Sequence, residues 1–152
     1  MIKTNQKGQS LVEALIALGV ATIVVSAMAI AAITAVNNAD FSKYQNLATN
    51  YAQQEMEIIR QHSQTDWHNL ILAKLGSSKC LDINQTETPL PCSKNIDNFF
   101  GREVTLTQTS SGDSDCHGTV HAVVTVSWAD GKCSSGSSCH NVTLDSCFAD
   151  IN

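Results

Sequence analysis

The reactive side chains of this 152-residue sequence are few and grouped: six cysteines and five histidines, most of them in the second half. His117 and His121 stand four apart beside Cys116, and His140 follows the second cysteine of a Cys133-x5-Cys139 loop. Thiolate and imidazole together are zinc ligands, and His117 and His121 with Cys116, Cys139 and His140 added make a conceivable zinc cluster. On a strand, however, positions four apart are separated by about 13 Å, too far for one ion. A c-type haem attachment has two residues between its cysteines, not five. Asp113 and Asp115 put carboxylates in a Ser/Gly turn, which suits a calcium loop but is the ordinary composition of a solvated turn. Asn84-Gln-Thr86 and Asn141-Val-Thr143 fit the glycosylation acceptor pattern. H-E-x-x-H, a nucleophile elbow and a phosphate-cradling glycine loop are all missing from the sequence. Cys80, Cys92, Cys116, Cys133, Cys139 and Cys147 are even in number and lie together, the pattern of disulfides formed in an oxidising compartment. Six cysteines allow about 15 connectivities. The loop closures Cys80 with Cys92 and Cys133 with Cys139, leaving Cys116 with Cys147, are one of them. No metal and no cofactor is expected, and the chain reads as a substrate of enzymes rather than an enzyme.

One further carboxylate stands apart. Glu13 follows Lys7-Gly8-Gln9-Ser10-Leu11-Val12, and after it residues 14–36 carry no charge and no proline. As a helix that run reaches about 35 Å, enough to cross a bilayer core with some tilt. A secretory signal has a shorter apolar region, and a plain anchor has no use for a carboxylate at its edge, where burial is costly. Cleavage after Gly8 would make Gln9 the first residue and Glu13 the fifth.

This combination of glycine, spaced glutamate and uncharged span resembles the type IV prepilin signal. The resemblance implies cleavage between Gly8 and Gln9 by a prepilin peptidase, N-methylation of Gln9, and export. For Glu13 it implies a role in assembly, pairing with the N-terminal amine of an adjacent subunit as helices pack into a filament. Two departures are visible. Gln9 stands where the family usually has phenylalanine, and Ile30 stands where many major pilins carry a proline, which favours a minor pilin or secretion pseudopilin.

Composition narrows the partners. Formal charge is −5, and loss of a leader containing Lys3 and Lys7 would take it to −7. An acidic chain without a Lys/Arg cluster has no electrostatic footprint for nucleic acid. Lys3 and Lys7 predict a cytoplasmic N-terminus, with the chain after residue 36 outside.

The elements that must carry these groups follow in order. Phe41, Tyr44, Ala48, Tyr51 and Ile58 recur at helical steps, with Leu47 and Ile59 widening the stripe, so the apolar helix is predicted to continue to about residue 65. A short helix or turn is expected at 67–75, closed by Gly76, and a loop-rich connector at 77–96 containing Pro89 and Pro91. Strands are predicted at 102–109, 118–128 and 141–148. In the second of these Val120, Ala122, Val124, Val126 and Trp128 face inward.

The fold class expected is α+β: a long N-terminal helix, transmembrane in its first half and amphipathic in its second, packed against a small, disulfide-stapled antiparallel sheet. The expected divisions are a cleaved leader at 1–8, a transmembrane or filament-core helix at 9–36, an amphipathic half at 37–65, a variable connector at 66–98, and the sheet with its C-terminal disulfide loop at 99–152. The resemblance implies a structural subunit of a pilus or type II secretion pseudopilus. It would be stored as a single-pass protein of the cytoplasmic membrane and then assembled with other pilin subunits by an inner-membrane platform into a surface or periplasmic filament. The alternative is a membrane-tethered, extracytoplasmic binding module that keeps its leader and does not polymerise. An exported enzyme using the histidine-bearing sheet face is a third reading.

Overall fold

The structure, a computed structural model, describes residues 6–65, 67, 75–92, 94–109, 116, 120–131, 133 and 138–149. One helix, α1 (Gln6–Thr65), is followed by five strands: β1 (Ser78–Leu81), β2 (Glu87–Thr88), β3 (Gly101–Gln108), β4 (Val120–Trp128) and β5 (His140–Phe148). The chain contains neither glycine nor proline between Gly19 and Gly76, so nothing in the backbone interrupts α1. Asn37-Asn38 lies within the helix without ending it. At its last turns the Ser63 and Thr65 hydroxyls donate to the carbonyls of Arg60 and Gln61. Gly76 then takes a positive φ of 82°, open to glycine at no steric cost, and its N–H donates to Leu106 O. Of the segment expected at 67–75, positions 68–74 lie outside the described residues, as do the Ser110–Asp115 turn and His117.

The chain divides into two compact units, 1–42 and 43–152. In the second, the strands form one antiparallel sheet in the order β2-β1-β3-β4-β5. Strands β3, β4 and β5 are the three that alternation predicts. The connector at 77–96 is not all loop: β1 and β2 form a hairpin, and β1 pairs with β3 through Cys80 opposite Glu103. Four and two residues are too few to show a period of two; β1 owes its place to pairing with β3 and to the Cys80–Cys92 bridge, and β2 to pairing with β1. Asp82 Oδ1 tightens the hairpin by accepting the N–H groups of Asn84 and Thr86, both at 2.8 Å.

The core lies between the second half of α1 and the inner faces of β3 and β4. Val120, Ala122, Val124, Val126 and Trp128 are all buried, with Val104 and Leu106 beside them. Against them α1 presents Ala48, Ala52, Glu55, Met56, Ile59 and Ser63, a stripe at three- and four-residue steps. That stripe is rotated from the expected one: Ile58 is only half-buried, and Phe41 is exposed. Ala48 and Ala52, with almost no side chain, let the sheet approach the helix closely. Aromatic rings fill one end, Tyr44 on Phe99 (4.7 Å between centroids), Tyr51 on Phe100 (5.4 Å) and Phe100 on Trp128 (6.2 Å). The turn that delivers Phe99 and Phe100 holds Asp97 and Asn98 at positive φ, a region these short polar residues tolerate.

Candidate functional site

The first unit carries the assembly residues of the sequence reading. Gly8 and Gln9 fall in the opening turns of α1, so their peptide bond is in helical backbone. Glycine weakens a helix by about 1 kcal/mol relative to alanine, which makes this the turn most easily opened. Glu13 is exposed, and among the described residues no cation pairs with it. From Leu11 to Val36 the large apolar side chains are exposed on every side of the helix, Leu15 at 61%, Ile23 at 70% and Ile33 at 62%. The few hydroxyls in this stretch turn inward on the backbone. Thr22 donates to Gly19 O, Ser26 to Thr22 O and Thr34 to Ile30 O, at 2.8, 2.8 and 2.9 Å. Each polar group is thereby satisfied inside the helix, the condition for residing in hydrocarbon. A helix apolar all round is stable only when surrounded by lipid or by other helices. α1 is long and apolar enough to cross a membrane.

The second unit holds a polar centre that the sequence reading missed. Arg102, fully buried at the start of β3, lies 3.1 Å from Glu55 of α1, itself 2% exposed. Its guanidinium also donates to the carbonyls of Leu81 (3.2 Å), Tyr51 (3.3 Å) and Asp82. Gln85 Nε2 donates to Glu55 at 2.7 Å, and Asn95 bonds Leu81 O and both backbone groups of Arg102. One side chain thus ties the helix, β1, the β1–β2 turn and β3 together. Burial pushes the Arg102 guanidinium below its ordinary range, while the negative charges of Glu55 and Asp82 hold it up. The signal was present: Arg102 has the same strand parity as Val104 and Leu106, and Glu55 stands at helical spacing from Ala52 and Ile59.

The cysteines form three bridges, Cys80–Cys92, Cys116–Cys147 and Cys133–Cys139. This corrects the conceivable zinc cluster. Cys116 is bonded to Cys147 and does not join Cys139 and His140. The group that does converge on them is Asp130 with Cys133, the four potential ligand atoms all lying within 4.8 Å of one another. His121 instead faces Asp145 across β4 and β5 at 3.5 Å.

Residues 3–29 match the family model of the prokaryotic N-terminal methylation motif, the prepilin signal of type IV pilins and pseudopilins. Searches of curated proteins and of solved structures return no match. The motif supports a type IV pilin-like or pseudopilin subunit, and it belongs to structural subunits rather than to a class of enzyme. Together with the apolar helix it points to a membrane-anchored single-pass protein, a prepilin peptidase as processing enzyme, and assembly with other pilin subunits.

Proposed function

We propose that this chain is a structural subunit of a type IV pilus-like or type II secretion pseudopilus filament, cleaved between Gly8 and Gln9 and assembled by packing of its N-terminal helix. The observation that carries this reading is the uniformly exposed apolar helix lying under a matched prepilin signal. Before assembly, residues 14–36 sit in the cytoplasmic membrane with Lys3 and Lys7 inside and the domain after residue 36 outside. The peptidase needs an accessible, non-helical bond, and Gly8 lets the first turn unwind at least cost. Cleavage removes the leader at 1–8, and the new α-amine of Gln9 is the atom that becomes methylated.

Glu13 then sets the register. Among apolar helices, sliding costs little, because one greasy surface matches another at many offsets. An unpaired carboxylate at that depth costs several kcal/mol, and a salt-bridged one much less. The register that brings Glu13 to the Gln9 amine of the neighbouring subunit is therefore singled out. In this reading 9–36 is the filament core, 37–65 the half that carries the globular part, 66–98 a connector, and 99–152 the sheet with its disulfide loop. An inner-membrane assembly platform draws subunits from the bilayer into the filament at the surface or in the periplasm.

The test is Glu13→Val. The variant should insert into the membrane as the wild type does and be lost from the sheared filament fraction. Incorporation at the wild-type level would overturn the register role.

A further inference from the structure

We propose that the β4–β5 loop is a redox-gated zinc site: a thiol reductant opens Cys133–Cys139, and the two freed thiolates bind Zn²⁺ with His140 and Asp130. Four donors of three kinds already meet there, within 4.8 Å of one another. Asp130 Oδ2 lies 3.1 Å from His140 Nε2, and Asp130 Oδ1 lies 3.7 Å from Cys133 Sγ. Ligand atoms about 2.0–2.3 Å from a tetrahedral ion are themselves separated by less than 4 Å, so only small movements are required. The donor set selects the ion. Two thiolates and an imidazole are ligands of zinc, whereas calcium and magnesium take oxygen.

The backbone is suited to holding the set. His140 opens β5 opposite Trp128 and is fixed by the sheet pairing, and Asp130 follows two residues after the end of β4. His140 also stacks on the buried Trp128 ring at 5.4 Å. The Asp130 N–H lies 3.2 Å from Cys133 Sγ and donates toward it, a contact that favours a thiolate at that position.

The same geometry explains why the site is gated. In the oxidised chain both sulfurs are spent on each other. Thiolate attack on a disulfide depends on access, and here Cys139 is exposed and Cys133 half-buried. The other two bridges each keep one cysteine buried, Cys80 at 1% and Cys116 at 3% exposure. Opening by two equivalents of a thiol yields two cysteine thiols and the thiol's disulfide. Zinc then displaces two protons from those thiols. The ion closes the same short loop that the bridge closed, so the loop stays tethered in both states.

The experiment uses the full chain in detergent micelles. Limited thiol treatment followed by alkylation and peptide mapping should label Cys133 and Cys139 first, and labels falling first on Cys80 or Cys116 would contradict the gating order. Cobalt(II) added to the partly reduced chain should give tetrahedral d–d bands and thiolate charge transfer, quench Trp128, and be displaced by one equivalent of Zn²⁺. The oxidised chain should give none of these signals. His140→Ala should weaken binding by more than the about 10- to 100-fold that losing an outer-shell partner costs. A Cys133→Ser/Cys139→Ser variant, checked for native circular dichroism, separates ligation from folding and should bind no cobalt. Cobalt bands missing from the reduced wild type, unchanged in His140→Ala, or retained in the double serine variant would overturn the site.

Discussion

Arg102 and Glu55 occupy positions where the periodicity calls for an apolar residue, and the structure buries both charges. Removing one partner leaves the other stranded. Arg102→Ala should therefore cost about 3–5 kcal/mol, read as a fall in the denaturant midpoint, whereas replacing both residues by apolar ones should cost far less. Retention of wild-type stability by Arg102→Ala would mean that the pair contributes nothing. Tyr51 gives a prediction in pH. Its hydroxyl donates to Asp97, and this bond first, then burial, then the Asp97 charge raise its pKa above the ordinary 10.0. The folded form holds the proton more tightly than the unfolded chain, so the associated stability is full below pH 10.0 and drains as pH rises through the folded pKa. The difference in unfolding free energy between wild type and Tyr51→Phe should stay constant up to about pH 10 and shrink above it. A difference that stayed constant through alkaline pH would contradict the assignment. Tyr51 falls in the apolar stripe expected of the helix, whereas Arg102 and Glu55 could be placed only by their parity and spacing, because a lone charge in a periodic run reads as surface until its partner on another element is known.

At the scale of elements, what could be read was what is periodic. The long helix and strands β3 to β5 carry their own pattern, and from Val120 to Trp128 only the apolar Val123 departs from it, while burial alternates without a break. The β1–β2 hairpin has no such signature, since β1 is ordered by partners more than twenty positions away in β3, and β2 by its pairing with β1. Gly101 makes that long-range order concrete. A Cβ at this position would fall 1.9 Å from the Cys92 carbonyl oxygen and 3.2 Å from Ser127 Oγ. The bridged loop from Cys80 to Cys92 folds directly over the start of β3. Gly101→Ala should destabilise the domain by about 1–3 kcal/mol, with the loss seen first as faster amide exchange in β1. Exchange rates and melting unchanged from wild type would show that the loop yields freely. Bridges of this kind contribute roughly 2–4 kcal/mol each, which matters to a domain with so few buried residues.

For the whole molecule, the two compact units answer to different solvents. Residues 43–152 bury a conventional core behind polar surfaces and three cystines. In the unit at 1–42 the residues described from Ser10 onward are exposed, and their apolar surface calls for lipid or neighbouring helices. The N-terminal part of the site was the most legible in sequence, because a glycine, a carboxylate and an uncharged span are local features. The convergence of Asp130 with Cys133, Cys139 and His140 was only partly so, since it depends on the register of β4 against β5. The central claim is that the chain is a processed filament subunit, and the most direct measurement is the intact mass and N-terminal sequence of the protein recovered from cells. A chain beginning at Gln9, with the mass of residues 9–152 and any added methyl group, is the predicted result. A chain beginning at Met1 would contradict it and leave a tethered module whose Glu13 has no part in assembly.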